Sequence, residues 1–140
     1  MTDETLRRVD ITRLSKGRYT ATNAAGTTIT VGEGDDAFSP VELLLAAIAG
    51  CSAADVDYIT AKRSEPERYD VTMTGNKIRD EQGSNRMVDL RLAFHVEFPD
   101  DEGGRAARAV LPRAVQQSHD RLCTVSRTVE AGTPIEAVVD

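Results

Sequence analysis

Apolar and polar positions alternate over short stretches at the start of the chain, and a period of two predicts strands. Residues 7–14, with Val9 and Ile11, and residues 17–23, with Tyr19 and Ala21, are two such stretches, joined at Ser15-Lys16-Gly17. Asn23-Ala24-Ala25-Gly26 is turn chemistry, and the β-branched run Thr27 to Val31 predicts a third strand. After the loop Gly32-Glu33-Gly34-Asp35-Asp36 the pattern changes to a nearly unbroken apolar run, Leu43 to Cys51. Ser39 suits an N-cap and Pro40 a first helical turn, so this run belongs to a helix from Pro40 to about Lys62. Its apolar side chains point to all sides through Gly50, which predicts burial all round.

Alternation returns in two longer segments. Residues 68–79 carry Tyr69, Val71, Met73 and Ile78; residues 87–98 carry Val88, Leu90, Leu92, Phe94, Val96 and Phe98. Glu81-Gln82-Gly83-Ser84-Asn85 joins them as a hairpin. Asp100 to Gly104 is a turn, and residues 105–130 read as helical, broken by Pro112 into a short piece and a longer one bearing Cys123. Gly132-Thr133-Pro134 leads to a last short strand, Ile135 to Val139. The order βββ-α-ββ-αα-β is an α+β pattern in one domain, residues 1–140. Two modest sheets from one chain hardly cover a helix that is apolar all round. An intertwined homodimer, with two such helices packed between sheets, solves that by symmetry.

Charge narrows the function classes. Seventeen Lys and Arg against 23 Asp and Glu give a net charge of -6, which argues against nucleic acid and against an anionic membrane surface as partners. The polar, acidic start Met1-Thr2-Asp3-Glu4-Thr5 is unlike a signal peptide, and the run Leu43 to Cys51 falls short of the ~20 residues of a membrane span. The expected location is therefore the cytoplasm, where the two cysteines, Cys51 and Cys123, are not expected to form a permanent structural disulfide. They make no CxxC motif, and with only His95 and His119 beside them a four-ligand structural zinc site is not expected. No metal or cofactor is expected.

Two readings of Cys51 stand side by side: a small buried hydrophobe, or a thiol held out of bulk water for chemistry. Cys123 allows the same pair. Glu42, in the first helical turn, is stabilised there by the helix dipole, or it pairs with a cation. Asp55 follows Cys51 by four residues on nearly the same face and would oppose a thiolate, which favours a structural role or a basic partner. His119 precedes Cys123 by four residues and reads as solvent-facing, or as a base or metal partner. Arg121 and Arg127 flank Cys123, on an exposed helix face or beside a thiolate.

The run Ser39-Pro40-Val41-Glu42-Leu43-Leu44-Leu45, followed by Ala49-Gly50-Cys51 and Asp55-Val56, resembles the first-cysteine helix of the OsmC/Ohr superfamily, which comprises osmotically inducible protein C and the organic hydroperoxide resistance proteins. Leu122-Cys123-Thr124-Val125-Ser126 resembles its second-cysteine motif. The resemblance implies an intertwined dimer in which two antiparallel sheets wrap two central helices. It also implies thiol-dependent reduction of organic hydroperoxides at the dimer interface, with a dithiol, lipoyl-type or other, as reductant. Cys51 then falls on the peroxidatic cysteine, Cys123 on the resolving one, and Arg18 on the early-strand arginine. In the family pattern a glutamate directly follows the proline and pairs with that arginine; here Val41 follows the proline, and Glu42 comes one residue later, about 100° round the helix. The desolvated Cys51 thiolate would need a compensating cation, for which Arg18 is the candidate. Two non-enzymatic readings remain beside the peroxidase: a binder of a small apolar ligand, and a redox sensor.

Overall fold

A computed structural model describes residues 4–140, so the polar start at residues 1–3 lies outside the described residues. Within them the chain falls into two compact units, one ending at Leu44 and the other spanning Leu45–Asp140.

The first unit is an antiparallel meander of β1 (Val9–Ser15), β2 (Arg18–Asn23) and β3 (Thr28–Gly32), in the order β1-β2-β3. Ile11, Ala21 and Ile29 lie directly opposite one another in the ladder. Ala21 and Val31 are buried, whereas Val9, Ile11 and Ile29 stay at least half exposed. The β2–β3 turn is held by Asn23, whose side-chain oxygen accepts from the N–H groups of Ala25 and Thr27. Gly32 lies at φ +118° against the Gly17 carbonyl, with no room for a Cβ.

Helix α1 (Pro40–Thr60) starts in this unit, and its start is written locally in the sequence. Ser39-Pro40-Val41-Glu42 forms a capping box: the Glu42 N–H donates to Ser39 Oγ at 3.1 Å, and the Ser39 N–H donates to Glu42 Oε1 at 2.8 Å.

In the second unit β4 (Arg68–Arg79) and β5 (Asn85–Glu97) form the expected hairpin. Its pairing shifts between Thr74 and Asn76, opposite Asp89, which adopts a left-handed φ of 54° and accepts from the Asn76 amide. The core joins Val56 of α1, Val96 of β5, and Leu111 and Ala114 of α2 (Glu102–Gln117); Ile59, Tyr69, Phe94, Phe98 and Val115 pack against it. Each of the larger side chains contributes about 1.5–3 kcal/mol by leaving water. The Tyr69 ring meets Phe94 edge to face at 6.4 Å, and its hydroxyl donates to the Ala53 carbonyl at 2.6 Å.

Two expectations are corrected. Helix α2 runs through Pro112 instead of breaking there. Proline forfeits one helical hydrogen bond, but the stripe Gly104, Ala107, Leu111, Ala114 stays buried and holds the helix together. The break comes later, at a single π turn, Ser118–Leu122, before α3 (Thr124–Ala131). No strand forms at residues 135–139: Ile135 and Val139 are 94% and 98% exposed, and no sheet edge in the described chain pairs with them. The single chain does not by itself cover α1 on all sides. Only Ile48, Ser52, Val56 and Thr60 are fully buried, at every fourth position, while Ala46, Ala47, Gly50 and Ala54 face outward. By length and hydropathy α1 is able to cross a bilayer, but this buried stripe is occupied by the protein's own core.

Candidate active site

Two elements bring the cysteines together inside the second unit. Cys51 stands on α1, and Cys123 fills the junction between the π turn and α3. Their sulfurs and a carboxylate oxygen of Asp55 all lie within 4.8 Å of one another, and both thiols are free. Cys123 is wholly buried, whereas Cys51 and Asp55 are half-buried.

The π turn explains this placement. The Cys123 N–H donates to the Ser118 carbonyl, five residues back, at 2.9 Å. The chain then extends at Cys123 (φ -74°, ψ 98°) and re-enters a helix, so Cys123 serves as the N-cap of α3. Its sulfur accepts from the Ser126 N–H at 3.4 Å and donates to Ser126 Oγ at 3.1 Å. The neighbouring backbone N–H of Val125 favours the Cys51 thiolate electrostatically. The first turn of α3 therefore points one backbone donor at each thiol, and those are groups the helix leaves without internal partners.

Asp55 is anchored on the opposite flank. Ser118 Oγ donates to Asp55 Oδ2 at 2.9 Å and lies 2.9 Å from the buried Ser52 Oγ. Ser52 and Ser118 are fully buried polar residues, and each satisfies the other. Burial is the largest influence on Cys51 and pushes its thiol above the usual range. The Val125 N–H pulls the other way, while Cys123 and Asp55 push further up. Cys51 therefore rests as the thiol.

The remaining sequence candidates have partners of their own. Arg18 grips Asp36 with two bonds of 2.9 and 3.0 Å and donates to the Glu33 carbonyl. Asp36 holds the guanidinium strongly protonated and is itself held below its ordinary value by that bond. Glu42 is committed to the capping box, so the Arg18–Glu42 pair is not formed within the first unit. The one-residue shift puts the carboxylate at the third helical position, where it reaches back to Ser39, and Asp36 takes the arginine. Asp55 has a serine as partner in place of a basic residue. His119 is solvent-facing: its ring nitrogens meet Asp120 at 2.9 Å and Glu130 at 3.1 Å, which raise its pKa. Arg127 pairs with Glu130 at 2.9 Å. His95 sits on the exposed strand face, 3.2 Å from Arg68. Ser52, Ser118 and the Val125 N–H escaped the sequence reading, because nothing in their spacing announces a π turn.

Beside the thiols lies a cavity of about 380 Å³. Ile48, Met73, Leu90, Leu92, Val115 and Val129 give it apolar walls; Arg91, Gln116, His119, Ser126 and Glu130 line the rest. It adjoins the site through Ser126, the partner of Cys123, and through Ile48, three residues before Cys51.

The family model described as OsmC-like protein matches residues 32–138, a span that holds both cysteines. The chain belongs to the OsmC-like family. An uncharacterized protein of Mycobacterium tuberculosis is 25% identical over 131 residues, covering 92% of this chain and 93% of that relative. Among solved structures, an OsmC-like protein of unknown function from Vibrio cholerae superposes with a TM-score of 0.76 at 18% identity, over 90% of this chain and 94% of that one. A Legionella pneumophila organic hydroperoxide resistance protein, OsmC, gives 0.59 at 14% identity, over 91% of each chain. These likenesses establish the OsmC-like α+β fold, with its two small antiparallel sheets and three helices.

Proposed function

We propose that this OsmC-like protein is a thiol peroxidase that reduces organic hydroperoxides, with Cys51 as attacking thiol and Cys123 as resolving thiol. The observation that carries the reading is the convergence of two free thiols within 4.8 Å beneath two backbone N–H groups. The Cys51 thiolate attacks one peroxide oxygen and the O–O bond breaks. The alkoxide leaves and takes a proton to become the alcohol, and Cys51 becomes a sulfenic acid. The Cys123 thiol condenses with it, water leaves, and a disulfide forms. An external dithiol, lipoyl-type or other, then restores both thiols. The α3 N–H groups stabilise thiolate charge in the role expected of Arg18, and the apolar cavity suits the alkyl part of the peroxide. Arg18 and Glu42, engaged with Asp36 and Ser39, are assigned no step here.

Intact mass after one equivalent of cumene hydroperoxide tests this. The reduced chain should lose two hydrogens, and a tryptic map should join Cys51 to Cys123. An unmodified chain overturns the peroxidase and leaves the second reading, a binder of small apolar ligands, which the same cavity favours.

The acting species in this proposal is a homodimer. The outward face of α1 carries Ala46, Ala47, Gly50 and Ala54, and a Cβ at Gly50 would meet nothing within 4 Å in the single chain. Such a face admits a second helix at close approach. Wild-type protein should sediment as a dimer and Gly50→Arg as a folded monomer; a wild-type monomer at micromolar concentration refutes the dimer.

A further inference from the structure

Peroxide chemistry uses two of the three groups that converge beneath α3 and leaves Asp55 without a role. A carboxylate beside two thiols is a poor companion for a thiolate but a good one for a cation. We infer that Cys51, Cys123 and Asp55 form a three-ligand site for a thiophilic divalent cation, with Zn2+ as the natural probe.

The donor set is two sulfurs and one carboxylate oxygen, all mutually within 4.8 Å. Ligand atoms on a tetrahedral zinc, with bonds of about 2.3 Å to sulfur and 2.0–2.2 Å to oxygen, stand within that separation of one another. The surroundings match those of a built metal centre. Ser118 Oγ fixes Asp55 through Oδ2, and Ser52 in turn meets Ser118, so the carboxylate is oriented by a buried pair. The N–H groups of Val125 and Ser126 point at the two sulfurs and would remain as donors to metal-bound thiolates. His119 is not a fourth ligand, since Asp120 and Glu130 occupy both ring nitrogens. Three protein ligands leave one position for water or a small donor, which is the open type of site.

Binding exchanges protons for metal: each thiol gives up its proton as its sulfur ligates the cation. The same two sulfurs then hold metal or form a disulfide, never both. The inference needs the thiol pair but not the peroxidase activity, and it is tested without peroxide.

Reduced, metal-free full-length protein is titrated anaerobically with Co2+, reading the sulfur-to-cobalt charge-transfer absorption. Zn2+ then displaces Co2+ in competition with a chromophoric chelator. One Zn2+ per chain is expected. Cys51→Ser and Cys123→Ser should each cut the charge-transfer band and weaken Zn2+ by at least ~100-fold, and Asp55→Asn should keep the band while weakening Zn2+ by ~10-fold or more. His119→Ala should leave the charge-transfer band and the Zn2+ affinity unchanged. Where a cysteine variant misfolds by circular dichroism, the wild type decides: Zn2+ should shield the half-buried Cys51 from iodoacetamide, mapped by mass. Alkylation unaffected by Zn2+, binding indifferent to Cys51→Ser, or binding abolished by His119→Ala overturns the site. Unchanged affinity in Asp55→Asn overturns the three-ligand set.

Discussion

Replacing Cys51 by serine should abolish hydroperoxide consumption, lowering the rate by at least about 10³-fold, to the level of solvent and stray thiols. A hydroxyl cannot stand in for the sulfur, because at neutral pH serine offers essentially no oxyanion and its oxygen is a poor partner for peroxide oxygen. The substitution is nearly isosteric at a half-buried position, so the fold should survive and the loss be chemical. Cys123→Ser separates the two thiols. Serine is a better N-cap than cysteine, so the Ser126 N–H keeps an acceptor and α3 keeps its start. That variant should consume one equivalent of peroxide, gain one oxygen in mass as a sulfenic acid on Cys51, and then stall. Stopped-flow consumption of cumene hydroperoxide, followed by intact mass, reads both variants. Turnover by Cys51→Ser would move the chemistry to Cys123, and undiminished turnover by Cys123→Ser would remove the resolving role.

Much of the fold was legible because its signals are local. Ser39-Pro40-Val41-Glu42 spells a capping box within four residues, and the alternation from 68 to 79 gives β4 with its exact ends. Pro112 misled because local propensity was outvoted by the buried stripe on α2. The strand expected at residues 135–139 had the right β-branched composition but no edge in the described chain to pair with. The site was half legible. Both cysteines were marked by their motifs, yet their approach depends on a π turn, and the extra residue per turn leaves no compositional trace. Arg18 illustrates the converse. Its need for an anion was readable, but the choice of Asp36 over Glu42 follows from loop geometry and from the prior claim of Ser39 on Glu42.

The largest expected effect on stability comes from Gly104→Ala, away from the thiols. Gly104 is fully buried in the first turn of α2, and a Cβ there would collide with the carbonyl oxygen of Pro99. That neighbour is backbone, which cannot swing aside as a long side chain would. Either the β5–α2 connection shifts or the start of α2 unwinds. The second course breaks the N-cap bond from the Gly104 N–H to Asp101 Oδ1, 2.7 Å long, and loosens the packing of Ala107 and Leu111. Losing the cap costs about 1 kcal/mol and overpacking about 1–3 kcal/mol. Together they should lower the melting temperature by about 10 °C or more in a domain of this size. The site should feel it as well, because α2 runs straight into the π turn that sets Ser118 and Cys123. Arg105→Ala is the control: it loses only an ion pair to the fully exposed Asp100 and should stay within about 0.5 kcal/mol of wild type. Calorimetry of the two variants decides the matter. Equal melting temperatures would mean that the Pro99 carbonyl yields easily and that the close approach at Gly104 does not hold this end of the helix.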